Sequence, residues 1–372
     1  MTNFKKYLIL SLSFALINAV VLLVFFVPRF DHSDTPQYIS TIQYLSGEPG
    51  SELVLKRIIC PLPVLIGSII SPLFGVENTL IAQNIVFYFL SAWLVFSLIY
   101  KFYHNEKQAF YGTIIYAGSF PILAYGLASL TDMAGYFFYL VSVFIGLKFI
   151  KNPKLKTALL AGFVAGLGLL FKESVAAAPI FFVSIVFIAT KLPLKDKFKY
   201  IMAFGVAFLL LPAINSIALY GLYEYSYYHT YRGGGLRPDG FSNGYSGFYM
   251  VSWARILIEI VRVMMIGWLF VLLGGFKEFV SKNTERFRFL LALILPSLSA
   301  FLWCYPHNRM LFIGFPFFVL LGSFGILRSF RSRKLNLLAE GGLLSLYVIF
   351  NYAVLAFLLD YGIYFWKFGD FS

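Results

Sequence analysis

The stretch IICPLPVLIGSIISPLFGV, residues 58–76, decides how the chain is arranged. It is apolar enough for lipid, but it carries Pro61, Pro63, Pro72 and Gly67. Each proline removes a backbone donor and wedges its ring against the preceding turn, which is poor material for a straight spanning helix. If this stretch crosses a membrane, every loop after it changes side; if it lies along the surface, none does.

The basic residues separate the two readings. Outside residues 58–76, apolar runs recur at 7–27, 79–102, 109–127, 133–150, 157–171, 175–190, 200–221, 256–276, 289–304, 310–327 and 337–360, many near the length of about 20 residues that a bilayer asks for. With the N-terminus inside and residues 58–76 not spanning, the inner segments hold Lys5 and Lys6 and the basic clusters at 101–107, 148–156, 191–199, 277–288 and 328–334. Together these are twenty of the 30 Lys and Arg residues. A spanning 58–76 would move all of them except Lys5 and Lys6 outside, against the bias of cytoplasmic loops toward Lys and Arg. The expectation is an all-α polytopic membrane protein of about eleven transmembrane helices. It is multi-pass in the cell membrane, with a cytoplasmic N-terminus. Residues 1–372 read as one transmembrane domain, with a first external loop at 28–78 that contains juxtamembrane elements and an aromatic and glycine-rich external loop at 222–250.

Composition agrees. With 60% hydrophobic and 13% charged residues and a mean hydropathy of +0.80, the chain is too apolar for a soluble domain. The net charge of +13 follows from the loop bias and implies no nucleic-acid partner. No Walker or GxGxxG pattern appears, which argues against a nucleotide-driven pump. Run 7–27 exceeds the roughly 7–15 residues of a signal-peptide core and lacks a small-residue cleavage site, so it is expected to stay in the membrane. Cys60 and Cys304 lie far apart without metal-ligand spacing, and read as buried thiols.

The external face should carry the chemistry. Asp31, His32 and Asp34 follow the first span; two carboxylates with a histidine suit a divalent cation, Mg or Mn, or a general base. A helix cap at Ser33, Asp34 or Thr35 ahead of Pro36 explains the same residues. Asp132 begins another apolar helix and reads equally as a cap or as a functional acid on the same face as Asp34. Lys172-Glu173 interrupts an apolar run as a self-pairing charge or a site, while Gly162-x-x-x-Gly166 before it reads as helix packing. Arg255, Glu259 and Arg262 have the spacing to pair along one helix. The loop at 222–250 adds Tyr227, Tyr228, Tyr231, Arg232 and Arg237. Finally, His307-Asn308-Arg309 forms a corner in which the Arg fork suits phosphate.

Taken in order, these motifs resemble the GT-C superfamily of membrane glycosyltransferases, which includes protein mannosyltransferases and lipid A aminoarabinose transferases. Asp34-x-x-x-Tyr38 is similar to the acidic first-loop motif, and Lys56-Arg57 through Pro61, Pro63 and Phe74-Gly75 to the segment after it. Thr131-Asp132-Met133-Ala134 with Phe137-Phe138 resembles the second acidic loop. Gly162 through Gly166 to Lys172-Glu173 resembles the following helix, and His307-Asn308-Arg309 with Gly314-Phe315-Pro316 a late helix. Thr35 stands where many members have a second acid.

The resemblance implies inverting transfer of a sugar from a polyprenyl-phosphate donor to a lipid, glycan or protein acceptor at the external face. In that reading Asp34, with Asp31 and Asp132, is catalytic. Arg309, His307, Lys172, Arg232 and Arg237 bind the donor phosphate, and Tyr38, Glu173, Tyr228 and Tyr231 meet acceptor or sugar. Any metal would lie between Asp34 or Asp31 and Asp132. A transporter or flippase of lipid-linked glycans, or a polymerase, is the alternative; a transporter would place its charges at mid-membrane.

Overall fold

Lipid offers no partner to backbone N–H and C=O groups, so an apolar run that crosses it must close its hydrogen bonds within itself. The computed structural model describes residues 3–30, 32, 34–227, 260–261, 264–272, 284–299, 310–330 and 336–360, and every regular element among these described residues is helical. Among the described residues five helices are long and apolar enough to cross a bilayer: Asn3–Arg29, Val76–Tyr103, Asp132–Lys151, Leu194–Tyr223 and Ala339–Asp360. They match the expected runs at 7–27, 79–102, 133–150, 200–221 and 337–360.

The first is α1 (Asn3–Val21), continued by a π turn and a 3-10 turn to Arg29. After it come α2 (Thr35–Leu45), α3 (Pro61–Phe74) and α4 (Thr79–Tyr103). Residues 58–76 thus contain one α-helix, α3, of 14 residues. At about 1.5 Å per residue it reaches about 21 Å, short of a hydrocarbon core of about 30 Å. Pro61 starts it, and Gly75 ends it with φ +73° while donating its N–H to Ser71 O at 2.8 Å, the left-handed stop that glycine takes without a Cβ penalty. The helix packs on α2 and α4.

The run at 109–127 differs from expectation. It is two helices, α5 (Glu106–Ala117) and α6 (Phe120–Tyr125), parted at Gly118 and Ser119. Pro121 sits in the first turn of α6, where its missing N–H is tolerated and the preceding chain is pushed out of helical geometry.

Next come α7 (Asp132–Lys151), α8 (Leu155–Leu169), α9 (Ala177–Ser184, continued as a π turn to Ala189) and α10 (Leu194–Tyr223). The glycine pair packs as expected: a Cβ on Gly162 or Gly166 would lie 2.2 or 2.4 Å from the carbonyl oxygens of Phe204 and Phe208. The backbones of α8 and α10 therefore touch directly. The later helices are α11 (Thr284–Ser299), α12 (Phe315–Phe330) and α13 (Asn336–Asp360). Of the expected run at 256–276, residues 260–261 and 264–272 are described, and they include a 3-10 turn, Met265–Gly267, and a short helix, Trp268–Phe270.

One polar knot crosses the apolar interior. Asn18 Nδ2 donates to Tyr88 Oη at 3.1 Å and to Ala117 O at 2.9 Å, and its Oδ1 accepts from Tyr352 Oη at 2.6 Å. It ties α1 to α4, α5 and α13. Arg29 and Asp360 then pair at the C-terminal ends of α1 and α13, so these two helices run in the same direction.

Candidate functional site

The site is built on the first turn and a half of α2. Asp34 holds the cap position of that helix, but its side chain makes no capping bond. Instead its Oδ1 accepts from Arg57 Nη2 at 2.6 Å. Arg57 belongs to a single 3-10 turn, Leu55–Arg57, and is buried. Its Nε and Nη2 also donate to Gln37 Oε1 at 3.0 and 2.7 Å, and the guanidinium lies over the Tyr38 ring, 4.6 Å from its centroid. Positions 34, 37 and 38 are i, i+3 and i+4, one face of a helix, so one turn of α2 presents the three partners that a buried fork of donors needs.

Two further bonds clip α2 to the loop before α7. Thr35 Oγ1 donates to Ser129 O at 3.1 Å, and the Tyr38 and Thr131 hydroxyls share a bond of 3.0 Å. The loop is fixed from the other side by Asn84 of α4, whose Nδ2 donates to Ala128 O at 2.6 Å and Leu130 O at 2.8 Å. Asp132 follows as the first residue of α7; Thr131, not Asp132, occupies the cap position. The cap readings of both acids therefore give way, and both carboxylates turn to cations.

The cation facing Asp132 is Lys172. Its Nζ lies 3.8 Å from Asp132 Oδ1 and 3.4 Å from Glu173 Oε1. Lys172 and Asp132 are both buried, and Gly135 makes the room, since a Cβ there would meet Lys172 Cβ at 2.6 Å. The self-pairing of Lys172 with Glu173 is thus present but shared with Asp132. Cys60 Sγ donates toward Glu173 Oε2 at 3.7 Å. Leu62 N donates to Leu170 O at 3.1 Å, and Asn215 Nδ2 to Ile59 O at 3.1 Å, which seats the start of α3 between α8 and α10. Tyr227 packs on the same apolar patch as Tyr38 and Cys60.

Electrostatics follow the burial. Burial pushes the Tyr38 hydroxyl above its ordinary value, while Lys172 and Arg57 pull it back. Burial, reinforced by Glu173, holds the Cys60 thiol well above its ordinary value, so it is a neutral donor as expected of a buried thiol. His32 is buried between the rings of Phe30 and Tyr125, at 5.7 Å from each. Among the described residues no group of three or more His, Cys, Asp or Glu comes together to hold a metal. Asp34 and Asp132 each face a cation instead.

Asp34, Asp132, Lys172, Glu173 and Tyr38 are therefore brought together. Asp31, Tyr228, Tyr231, Arg232, Arg237, His307 and Arg309 lie outside the described residues, as do Arg255, Glu259, Arg262 and Cys304. Sequence reasoning quoted Arg57 and Thr131 within motifs but gave neither a role at the site, and gave none to Gln37. Arg57 had a readable signal: a Lys-Arg pair in a loop assigned to the face that should be poor in basic residues needs an anion.

The family model of dolichyl-phosphate-mannose-protein mannosyltransferases matches residues 60–215. No curated protein sequence matches the chain. The chain is similar in structure to ArnT from Cupriavidus metallidurans bound to undecaprenyl phosphate, with a TM-score of 0.64 and 11% identity over 87% of this chain and 60% of that one. It is similar to the oligosaccharyltransferase AglB from Archaeoglobus fulgidus in complex with an inhibitory peptide and a dolichol-phosphate, with a TM-score of 0.59 and 13% identity over 95% of this chain and 56% of that one. An Archaeoglobus fulgidus oligosaccharyltransferase in complex with Zn and sulfate matches with a TM-score of 0.58 and 14% identity, over 95% of this chain and 52% of that one. The chain spans at most 60% of the length of these neighbours. The expected fold is borne out: the chain shares the fold of these glycosyltransferase structures.

Proposed function

We propose that the chain is an inverting glycosyltransferase, moving a sugar from a polyprenyl-phosphate-linked donor to a lipid, glycan or protein acceptor at the external face of the membrane. The observation that carries this reading is the meeting of Asp34, Arg57, Asp132 and Lys172, from four separate segments, at one end of a GT-C bundle. Acids beside cations at a membrane surface suit a transfer in which a proton is taken up and a phosphate departs.

In this mechanism the acceptor O–H or N–H loses its proton to Asp34. The acceptor atom attacks the anomeric carbon from the side opposite the phosphate, the C–O bond to phosphate breaks, and polyprenyl phosphate leaves. Arg57 holds the Asp34 carboxylate in the resting protein. A donor phosphate drawing on the same guanidinium loosens that pair and leaves the carboxylate to the acceptor. Lys172 meets the growing negative charge, with Arg309, His307, Arg232 and Arg237 as further phosphate ligands. Asp132 and Asp31 complete the acidic side. Tyr38 and Glu173, with Tyr228 and Tyr231, line the acceptor and sugar side. Two carboxylates already paired with cations do not by themselves make a site for Mg or Mn.

The test is product analysis on the purified chain with a panel of polyprenyl-phosphate sugars. We expect one donor to be consumed, with release of polyprenyl phosphate and inverted anomeric configuration, by the wild type and not by Asp34→Asn. Movement of lipid-linked glycan across vesicles without donor cleavage would instead establish the flippase reading. Labelling of a cysteine at Asn152 from the outside would overturn the orientation.

A further inference from the structure

At the end of the bundle opposite Asp34, helices α1, α5 and α13 part around a cavity of about 570 Å3. Phe14, Phe110 and Leu344 help to line apolar walls, and Lys6 and Lys107 stand among the lining residues. Lys6 is exposed and Lys107 half-buried. Lys107 and Tyr111 already hold the buried carboxylate of Glu340, so two lysines stand against one glutamate at the mouth.

Gly341 supplies a second observation. It lies within α13 and lines the cavity, and a Cβ built on it meets nothing within 4 Å. Glycine inside a helix is disfavoured against alanine, and no neighbour in the described chain requires it here. The space above Gly341 therefore suits an occupant that is not one of the surrounding side chains. The lining is mostly apolar and open on one side, at the exposed Gly341, which suits an acyl chain entering from the bilayer.

We propose that this cavity binds an anionic phospholipid, with one acyl chain lying between α1 and α13 and the phosphate meeting Lys6 and Lys107. Basic pockets between transmembrane helices recognise anionic headgroups in this way. The cavity follows α1 from Lys6 to Phe14, about 12 Å at 1.5 Å per residue, so the bound chain runs along the helix and not across it.

The experiment uses the full chain in neutral detergent, titrated with dioleoylphosphatidylglycerol or dioleoylphosphatidylcholine, with bound lipid counted by native mass spectrometry. One phosphatidylglycerol should bind several-fold more tightly than phosphatidylcholine. Lys6→Gln, at an exposed position, should weaken phosphatidylglycerol about fivefold, the weight of one lysine near an anionic headgroup, and leave phosphatidylcholine unchanged. Gly341→Phe, which fills the space, should remove the bound lipid, whereas Gly341→Ala should keep it. Equal affinity for the two lipids overturns the proposal, as does a Lys6→Gln variant with unchanged preference or a folded Gly341→Phe variant that binds as the wild type does.

Discussion

Asp34 and Asp132 each stand at the head of a helix at one end of the bundle, yet their cations hold them differently. Arg57 closes on Asp34 at 2.6 Å, adds two bonds to Gln37 and lies over Tyr38. Lys172 stays 3.8 Å from Asp132 and 3.4 Å from Glu173. The planar fork gives directed bonds, whereas the ammonium is a point charge that settles between two acids. Depth differs as well: the Asp34 side chain is 27% exposed and that of Asp132 only 6%. The accessible half of the cluster is thus the directional one, fit to meet an outside molecule, and the buried half supplies a field.

The largest expected effect breaks the accessible half. Asp34→Asn should lower turnover by about 10²–10⁴-fold, the range for a general base, with expression and donor affinity retained. Asp132→Asn should do less. Single-turnover donor consumption by the two variants checks the order, and a larger loss in Asp132→Asn would exchange their roles.

The next expectation concerns the cations. Removing Arg57 strands an acid and empties a buried fork, so Arg57→Ala should destabilise by about 2–4 kcal/mol. That straddles the lower end of the range of about 3–5 kcal/mol for breaking a buried pair, because Asp34 is partly solvated. Arg57→Lys keeps the charge and should still lose more rate than Lys172→Arg, since directed bonds matter on one side alone. Thermal unfolding in detergent and turnover of the three variants would show it; equal losses in Arg57→Lys and Lys172→Arg would erase the distinction.

Gly135→Ala sharpens the buried half. The new methyl would press on Lys172 Cβ, 2.6 Å away, and should cost about 1–3 kcal/mol through overpacking. A variant as stable as the wild type would mean that Lys172 yields easily. The smallest effect is expected from metal removal: with both acids paired to cations, turnover in excess chelator should stay within about twofold, under 1 kcal/mol. A tenfold loss restored by Mg or Mn would place that ion between Asp34 and Asp132.

Much of the frame is legible in the residues because it follows from solvent and sterics. The prolines of residues 58–76 and the Gly162/Gly166 pair each act locally, and α3 and the α8–α10 contact match them. The break between α5 and α6 is less visible, since Gly118 and Pro121 lie in a run whose hydropathy continues unbroken. The site divides in the same way. Asp34, Asp132 and Lys172 stand out as charges beside apolar helices, but the pairing of Asp34 with Arg57 over 23 residues depends on how a short turn folds back onto α2. No periodicity encodes that return.

The Asn18 knot also sets a timetable. Tyr88 is made 70 residues after Asn18 and Tyr352 is made 334 residues after it. At about 5–20 residues per second of synthesis, the first partner follows within roughly 4 to 14 s and the last only after roughly 17 to 67 s. For most of its own translation, the growing chain holds a half-satisfied amide among its apolar helices, and the arrival of α13 is the event that closes the bundle.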